Sequence, residues 1–354
     1  MTSALRIRFW LIGMGVSLVL LYVLRGVLLP FVAGMAIAYF LDPLADRLER
    51  AGVSRILATS IITLAFFTTL VVVLLVLAPV IEDQVVAFAQ KVPGYIESIN
   101  QWLDPLIREA QRRLSPRDIE KLRSSAGEYA GTVAGWGVGL LKGLVSGSLA
   151  VVEILSLVFI TPIVTFYLLR DWDTITAKVE GWLPRRHAAT VREQFAEIDR
   201  TLSGFVRGQA TVCLALGTFY GVGLSLVGLD LGLVIGGLSG LFSFVPYLGT
   251  ISGFVAGVGL AFAQTQDWQL PAIVAGVFIV GQMIEGNVLT PKLVGDRVGL
   301  HPVWVMFALL AGGGLFGFVG ILLAVPVAAV IGVLVRFALS RYLASPLYTG
   351  NDGS

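Results

Sequence analysis

Cysteine and histidine are almost missing from this chain of 354 residues: it has one cysteine, Cys213, and two histidines, His187 and His301. A single thiol excludes a disulfide framework within the chain and a cysteine metal site. Two histidines are too few for a histidine-rich metal centre. Charge is scarce as well, at 14% of residues, against about 25% in soluble domains. The motifs of familiar catalysis are absent: there is no G-x-S-x-G, no H-E-x-x-H, no phosphate loop and no dinucleotide fingerprint in its strand-to-helix setting. The chain therefore reads as a non-enzyme without cofactor or metal, and an ATP-driven pump is excluded for this chain alone. Its basic residues flank apolar runs, where the positive-inside rule accounts for them, so nucleic-acid binding has no support.

What is abundant is apolar surface. Hydrophobic residues make up 56% of the chain and mean hydropathy is +0.86, so most of the chain faces lipid or other membrane helices. Arg6 and Arg8 precede the first apolar run, and no small-residue cleavage site with a polar mature start follows. An uncleaved first membrane segment is expected.

Residues 9–41 are apolar except for Arg25, too long for one span of about 20 residues and short for two. Arg25-Gly26 and Pro30 mark a break between two short tilted helices. Arg6 and Arg8 at one end and Arg47, Arg50 and Arg55 at the other place both ends in the cytoplasm. Residues 56–80 then lead outward. Residues 81–148 carry balanced charge and read as an extracytoplasmic helical arm, with Ser115, Pro116 and Asp118 as a helix start. From Gly127 to Gly147 a glycine recurs at every fourth position, beside an apolar face through Val133, Trp136 and Leu140. That spacing lets helix backbones approach closely and points to a homo-oligomer with the arm near the subunit contacts.

Residues 149–169 return inward, with Pro162 as a kink. Residues 170–205 form cytoplasmic amphipathic helices in two stripes, broken at Pro184. Residues 208–228 lead outward, 229–263 form a hairpin broken at Pro246 and Gly249, and 271–289 cross inward. Residues 303–336 form a second hairpin, broken at Gly312-Gly313-Gly314 and Gly317. The two span-plus-hairpin units then run in opposite directions, the inverted re-entrant arrangement of many secondary transporters. The expected fold is an all-α polytopic membrane protein, N-in and C-in. Its parts are an N-terminal hairpin and span (1–80), the arm (81–148), a span with cytoplasmic helices (149–207), a transport core (208–345) and a tail (346–354).

Backbone that is not helical at membrane depth must be buried in protein or line a cavity. The hairpin tips at Pro246 and at Gly313 and Gly317 are therefore substrate-path candidates; the plainer alternative is that these residues only permit tight hairpin packing. Glu285 and Gln282 lie three apart on one face of span 271–289. A carboxylate in a span is costly and usually functional, so Glu285 is expected to bind a cation or carry a proton. The plainer alternative is an interfacial pair with Lys292 or Arg297. Gln282, Asn287, Pro291 and Asp296, with Gln209 beside Arg207 at the start of a facing span, are further substrate-path or ion-coupling candidates; Asp296, Arg297 and His301 are also expected to fix the following loop, and Asn287 and Thr290 to hydrogen-bond its turn.

Glu285-Gly286-Asn287, Leu289-Thr290-Pro291-Lys292, Gly295-Asp296 and Gly299-Leu300-His301-Pro302 together resemble the signature of the autoinducer-2 exporter (AI-2E) family. Gly317-Phe318-Val319-Gly320, Val325-Pro326, Phe244-Val245-Pro246-Tyr247-Leu248-Gly249 and Leu41-Asp42-Pro43-Leu44 fit the same family. The resemblance implies a bacterial inner-membrane protein that exports a small polar signalling molecule or, in some members, exchanges sodium or lithium for protons. A third reading, from a different class, is an oligomeric channel or scaffold without coupling. The partners expected are the lipid bilayer, a small polar solute, H+ or Na+, and further copies of the chain.

Overall fold

A computed structural model describes residues 12–13, 15–16, 19–111, 148–185, 188–265, 267–294, 299–345 and 348. Helices carry almost all of them, with no strand among the described residues. A 3-10 turn at Arg25–Val27 leads into α1 (Leu28–Arg50). The expected break at Arg25-Gly26 is therefore real. Pro30 sits in the first turn of α1, where a missing N–H is tolerated. The helix stops at Gly52, whose φ of +95° only glycine adopts freely, and the Val53 N–H closes back onto the Leu48 carbonyl at 3.1 Å.

Then follow α2 (Arg55–Gln111), α3 (Ser148–Gly181), α4 (Ala188–Leu226), α5 (Gly232–Phe242), α6 (Leu248–Gln264), α7 (Gln269–Ile284) and α8 (Pro302–Leu343). Between α7 and α8 the chain winds as a π-helix, Glu285–Val294. Six helices among the described residues are long and apolar enough to cross a membrane, so the chain is an all-α polytopic membrane protein. Their outward faces stay apolar: Leu64, Leu75 and Val76 on α2 are each about two-thirds exposed or more. Exposed apolar surface on that scale is what a lipid-facing helix presents.

Helix α2 has 57 residues, so it is about 85 Å long. A hydrocarbon core of about 30 Å cannot contain it, and one end leaves the membrane. Position 80 therefore lies inside a continuous helix. The stripes expected at 170–205 are likewise continuous with the apolar parts of α3 and α4, with an interruption around Pro184. The later part of the arm, including the glycines from 127 to 147, lies outside the described residues.

By packing, the helices fall into two compact units. The first draws its described residues from 1–67, 155–210 and 291–354. Its core joins Ala38, Leu41 and Ala45 of α1 to Ile62 of α2 and Leu169 of α3. Gly34 admits α3 so closely that a Cβ there would lie 2.7 Å from Val164 Cγ1. In this unit α8 is two helical arms meeting at Gly317, where φ is +61° and ψ is −137°. His301 opens α8 as its N-cap, Nδ1 accepting from the Val303 N–H, with Pro302 at the first helical position.

The second unit draws on 68–154 and 211–290. Here α5 and α6 form a hairpin whose turn, Ser243 to Tyr247, contains Pro246. Both short helices start from residues in the left-handed region, Leu231 and Tyr247. Gly249, expected at the break, lies instead inside α6, where it fits against the Ser239 carbonyl and Ser243. Gly236 and Gly240 of α5 meet Gly221 and Gly217 of α4, and Gly253 and Gly257 of α6 receive the Phe278 ring of α7.

Candidate functional site

In the second unit four helices bring polar groups together. Tyr220 on α4 is fully buried, and its ring stacks on Phe278 with centroids 4.8 Å apart. Gly281 on α7 makes room for the ring, since a Cβ there would lie 2.5 Å from the phenol oxygen. Thr250, on the first turn of α6, points its Oγ1 at Glu285 Oε2 across 3.4 Å. Glu285 is half-buried and is the first residue of the π-helix. Its charge reaches Tyr220 and Cys213 on α4. Ser239 and Ser243 of α5 are buried, and both bond back to carbonyls of their own helix.

The other residues singled out by the sequence are spread more widely. Pro246 lies half-buried in the α5–α6 turn, four positions before Thr250. Gln282 is exposed although Glu285 is half-buried; the switch from i→i+4 to i→i+5 winding at Glu285 changes the helix register between them. Asn287 is exposed, and its Nδ2 donates to the Met283 carbonyl at 2.9 Å. Lys292 does not pair with Glu285, and Arg297 and Asp296 lie outside the described residues. In the first unit Gln209 is buried on α4, Pro291 is exposed within the π-helix, Gly313 is half-buried and Gly317 makes the bend of α8.

A second polar cluster, in the first unit, was not singled out. The Arg55 guanidinium meets Asp46 at 2.7 Å, Asp42 at 3.0 Å and Glu49 at 3.1 Å, and two of its nitrogens donate to the Leu169 carbonyl. Asp42 also faces Arg207, whose Nε donates to the Tyr39 carbonyl at 3.0 Å. Tyr39 and Asp199 face the same space. Tyr39, Asp42, Asp199 and Arg207, with Trp172 and Ser203, line a cavity of about 50 Å³, room for little more than a few waters. In the sequence alone Arg55 marks only sidedness. The signal that identifies the cluster is Asp42, an acid within an apolar helix, which needs a cation.

Among the described residues no group of three or more His, Cys, Asp or Glu is arranged to hold a metal ion.

Residues 10–340 match the family model described as AI-2E family transporter. The chain is 29% identical to YrrI of Bacillus subtilis, named as a transport-protein candidate, over 88% of this chain and 86% of that one. It is 26% identical to PerM of Escherichia coli, named as a permease candidate, over 90% of this chain and 89% of that one. YueF of Bacillus subtilis, another transport-protein candidate, is 27% identical over 83% of this chain and 80% of its own length.

Proposed function

Because this chain belongs to the AI-2E transporter family, we propose that it is a secondary transporter moving a small polar, autoinducer-2-like molecule outward across the bacterial inner membrane. The observation that carries this reading is Glu285: a half-buried carboxylate on a membrane helix, at the point where α-helix gives way to π-helix. Ionisable groups in spans mark solute and ion pathways, and π segments recur at functional sites. The neighbouring α5–α6 hairpin is too short in either arm to cross a bilayer alone, at 11 and 17 residues, which supports a re-entrant loop with Pro246 near its tip. The inverted pairing of this hairpin with α8 belongs to the same proposal, as do N-in, C-in sidedness and assembly as a homo-oligomer through residues 127–147.

A sodium (or lithium)/proton antiporter is the second reading. Its support is that no Lys or Arg among the described residues pairs with Glu285, so a mobile cation or proton can balance the carboxylate. Liposomes holding only this protein separate these readings. Export predicts solute flux that responds to an imposed ion or proton gradient and loses that response in Glu285→Gln. Antiport predicts sodium-driven proton movement with no solute present. Solute flux indifferent to both gradients returns the chain to an uncoupled channel.

A further inference from the structure

Asp230 lies in the loop between α4 and α5, at the end of the α5–α6 hairpin away from Pro246, and side chains from two other elements close on it. Lys91 and Tyr95 are one turn apart on α2, and both donate to its carboxylate. Lys91 Nζ reaches both oxygens at 2.9 Å, and the buried Tyr95 phenol bonds Oδ2. The Asp230 backbone N–H donates to Gln264 Oε1 at 2.9 Å, at the end of α6, and Gln264 Nε2 donates in turn to the Gly228 carbonyl at 2.8 Å. One acid thus ties the two ends of the hairpin to each other and to α2.

The grip bears on a strained turn. Leu231, the next residue, sits at φ +56°, where a bulky side chain is rare. Such positions persist only where their surroundings over-determine them, and Asp230 is held at side chain and backbone alike. The two arms of the hairpin are otherwise held differently. Helix α6 is keyed to α7 by the Phe278 ring between Gly253 and Gly257. Helix α5 meets α4 glycine on glycine, a close contact without side chains that interlock, so it resists separation more than sliding. Lys91 stands about 54 Å along α2 from Arg55, beyond a hydrocarbon core of about 30 Å, and its side chain is 52% exposed. Water can replace an ion pair so placed, and the contact opens more readily than one sealed in lipid.

We propose that Asp230 is a positioning residue for the hairpin. While Lys91 and Tyr95 hold its carboxylate, α5 is fixed against α4. When they release it, the strain at Leu231 relaxes and α5 shifts along the glycine face of α4, with α6 staying on α7. This rests on reading the α5–α6 hairpin as part of the solute path, and it assigns control of that path to Asp230, Lys91 and Tyr95, none of which needs to touch the solute.

The test is hydrogen exchange read by mass spectrometry on the full chain in mild detergent. Asp230→Asn and Lys91→Met are expected to speed exchange of the α5 amides about tenfold, as loss of a charge-assisted hydrogen bond does to a local opening, while α6, α7 and α1 keep the wild-type rate. Lys91→Arg keeps the ion pair and should keep exchange slow. Should Asp230→Asn fail to fold, Lys91→Met, altered only in a half-exposed side chain, decides. Unchanged α5 exchange in the folded variants overturns the proposal. So does faster exchange in every helix alike, which marks a staple of general stability. Autoinducer-2 flux in liposomes separates this from the transport reading. Faster α5 exchange with unchanged flux upholds the Asp230 fastening and removes the hairpin from the solute path. Wild-type flux with no effect of the variants on α5 exchange overturns the fastening and leaves the transport reading intact.

Discussion

Gly240 of α5 and Gly217 of α4 touch backbone to backbone: a Cβ built on Gly240 would run into the Gly217 Cα and lie 2.9 Å from the Cys213 carbonyl. Helices in lipid gain no hydrophobic energy from meeting each other, since lipid tails are as apolar as leucine, so close packing between small residues holds them together. The same contact recurs one turn along, between Gly236 and Gly221. Through it α4 presents Tyr220 and α5 presents the buried serines.

That contact yields a matched pair of variants. Gly240→Ala should destabilise the protein by about 1–3 kcal/mol through overpacking. Gly237→Ala lies on the same helix with nothing within 4 Å of its Cβ, and should be neutral or gain up to about 0.8 kcal/mol in helix propensity. Thermal unfolding in detergent compares them. Equal midpoints would show that α4 and α5 do not meet at this pair.

Gly317 turns α8 with φ +61° and ψ −137°, a region that only glycine occupies without strain. Gly317→Ala is expected to lose about 1–3 kcal/mol, although nothing lies within 4 Å of the new methyl. Gly314→Ala, also in open space but without a positive φ, should be tolerated. If both variants unfold at the wild-type temperature, the bend is not at Gly317.

Arg55 holds three carboxylates and the Leu169 carbonyl with a side chain 15% exposed. Arg55→Gln leaves Asp42, Asp46 and Glu49 repelling one another and should lower stability by about 2 kcal/mol, below the full loss for a deeply buried pair because the acids are partly solvated. Salt screens that repulsion, so the deficit should shrink at high ionic strength. Arg55→Lys should restore only part, because an ammonium lacks the planar fork. Glu49→Gln removes the one contact of the three that is exposed and should change stability by less than about 1 kcal/mol. A full rescue by lysine would mean that charge alone matters here.

Sidedness has a direct check. Single cysteines in a Cys213→Ala background, at Gln101, Arg186, Gln266 and Ser354, should react with an impermeant reagent in intact cells only at the first and third positions. Labelling of Arg186→Cys from outside would reverse the proposed orientation.

Hydropathy and helix breakers are properties of neighbouring residues, and they were readable one segment at a time. The apolar runs, the turn at Pro246 and the bend at Gly317 all follow from such local chemistry. So does the suspicion attached to Glu285, an acid among apolar residues. The partners of these residues were not readable. A helix that is apolar on every side carries no stripe to say which face meets protein and which meets lipid, so its rotation is undetermined by its own composition. Packing sets that rotation. It put Tyr220 rather than Gln282 beside Glu285, matched Arg207 to a carbonyl 168 positions away and made Gly217, Gly221, Gly236 and Gly240 the contact between α4 and α5. The glycines of 127–147 are evenly spaced along one segment and so are visible in the sequence, whereas Gly217 and Gly221 meet Gly240 and Gly236 across two helices, and only the folded arrangement brings those together.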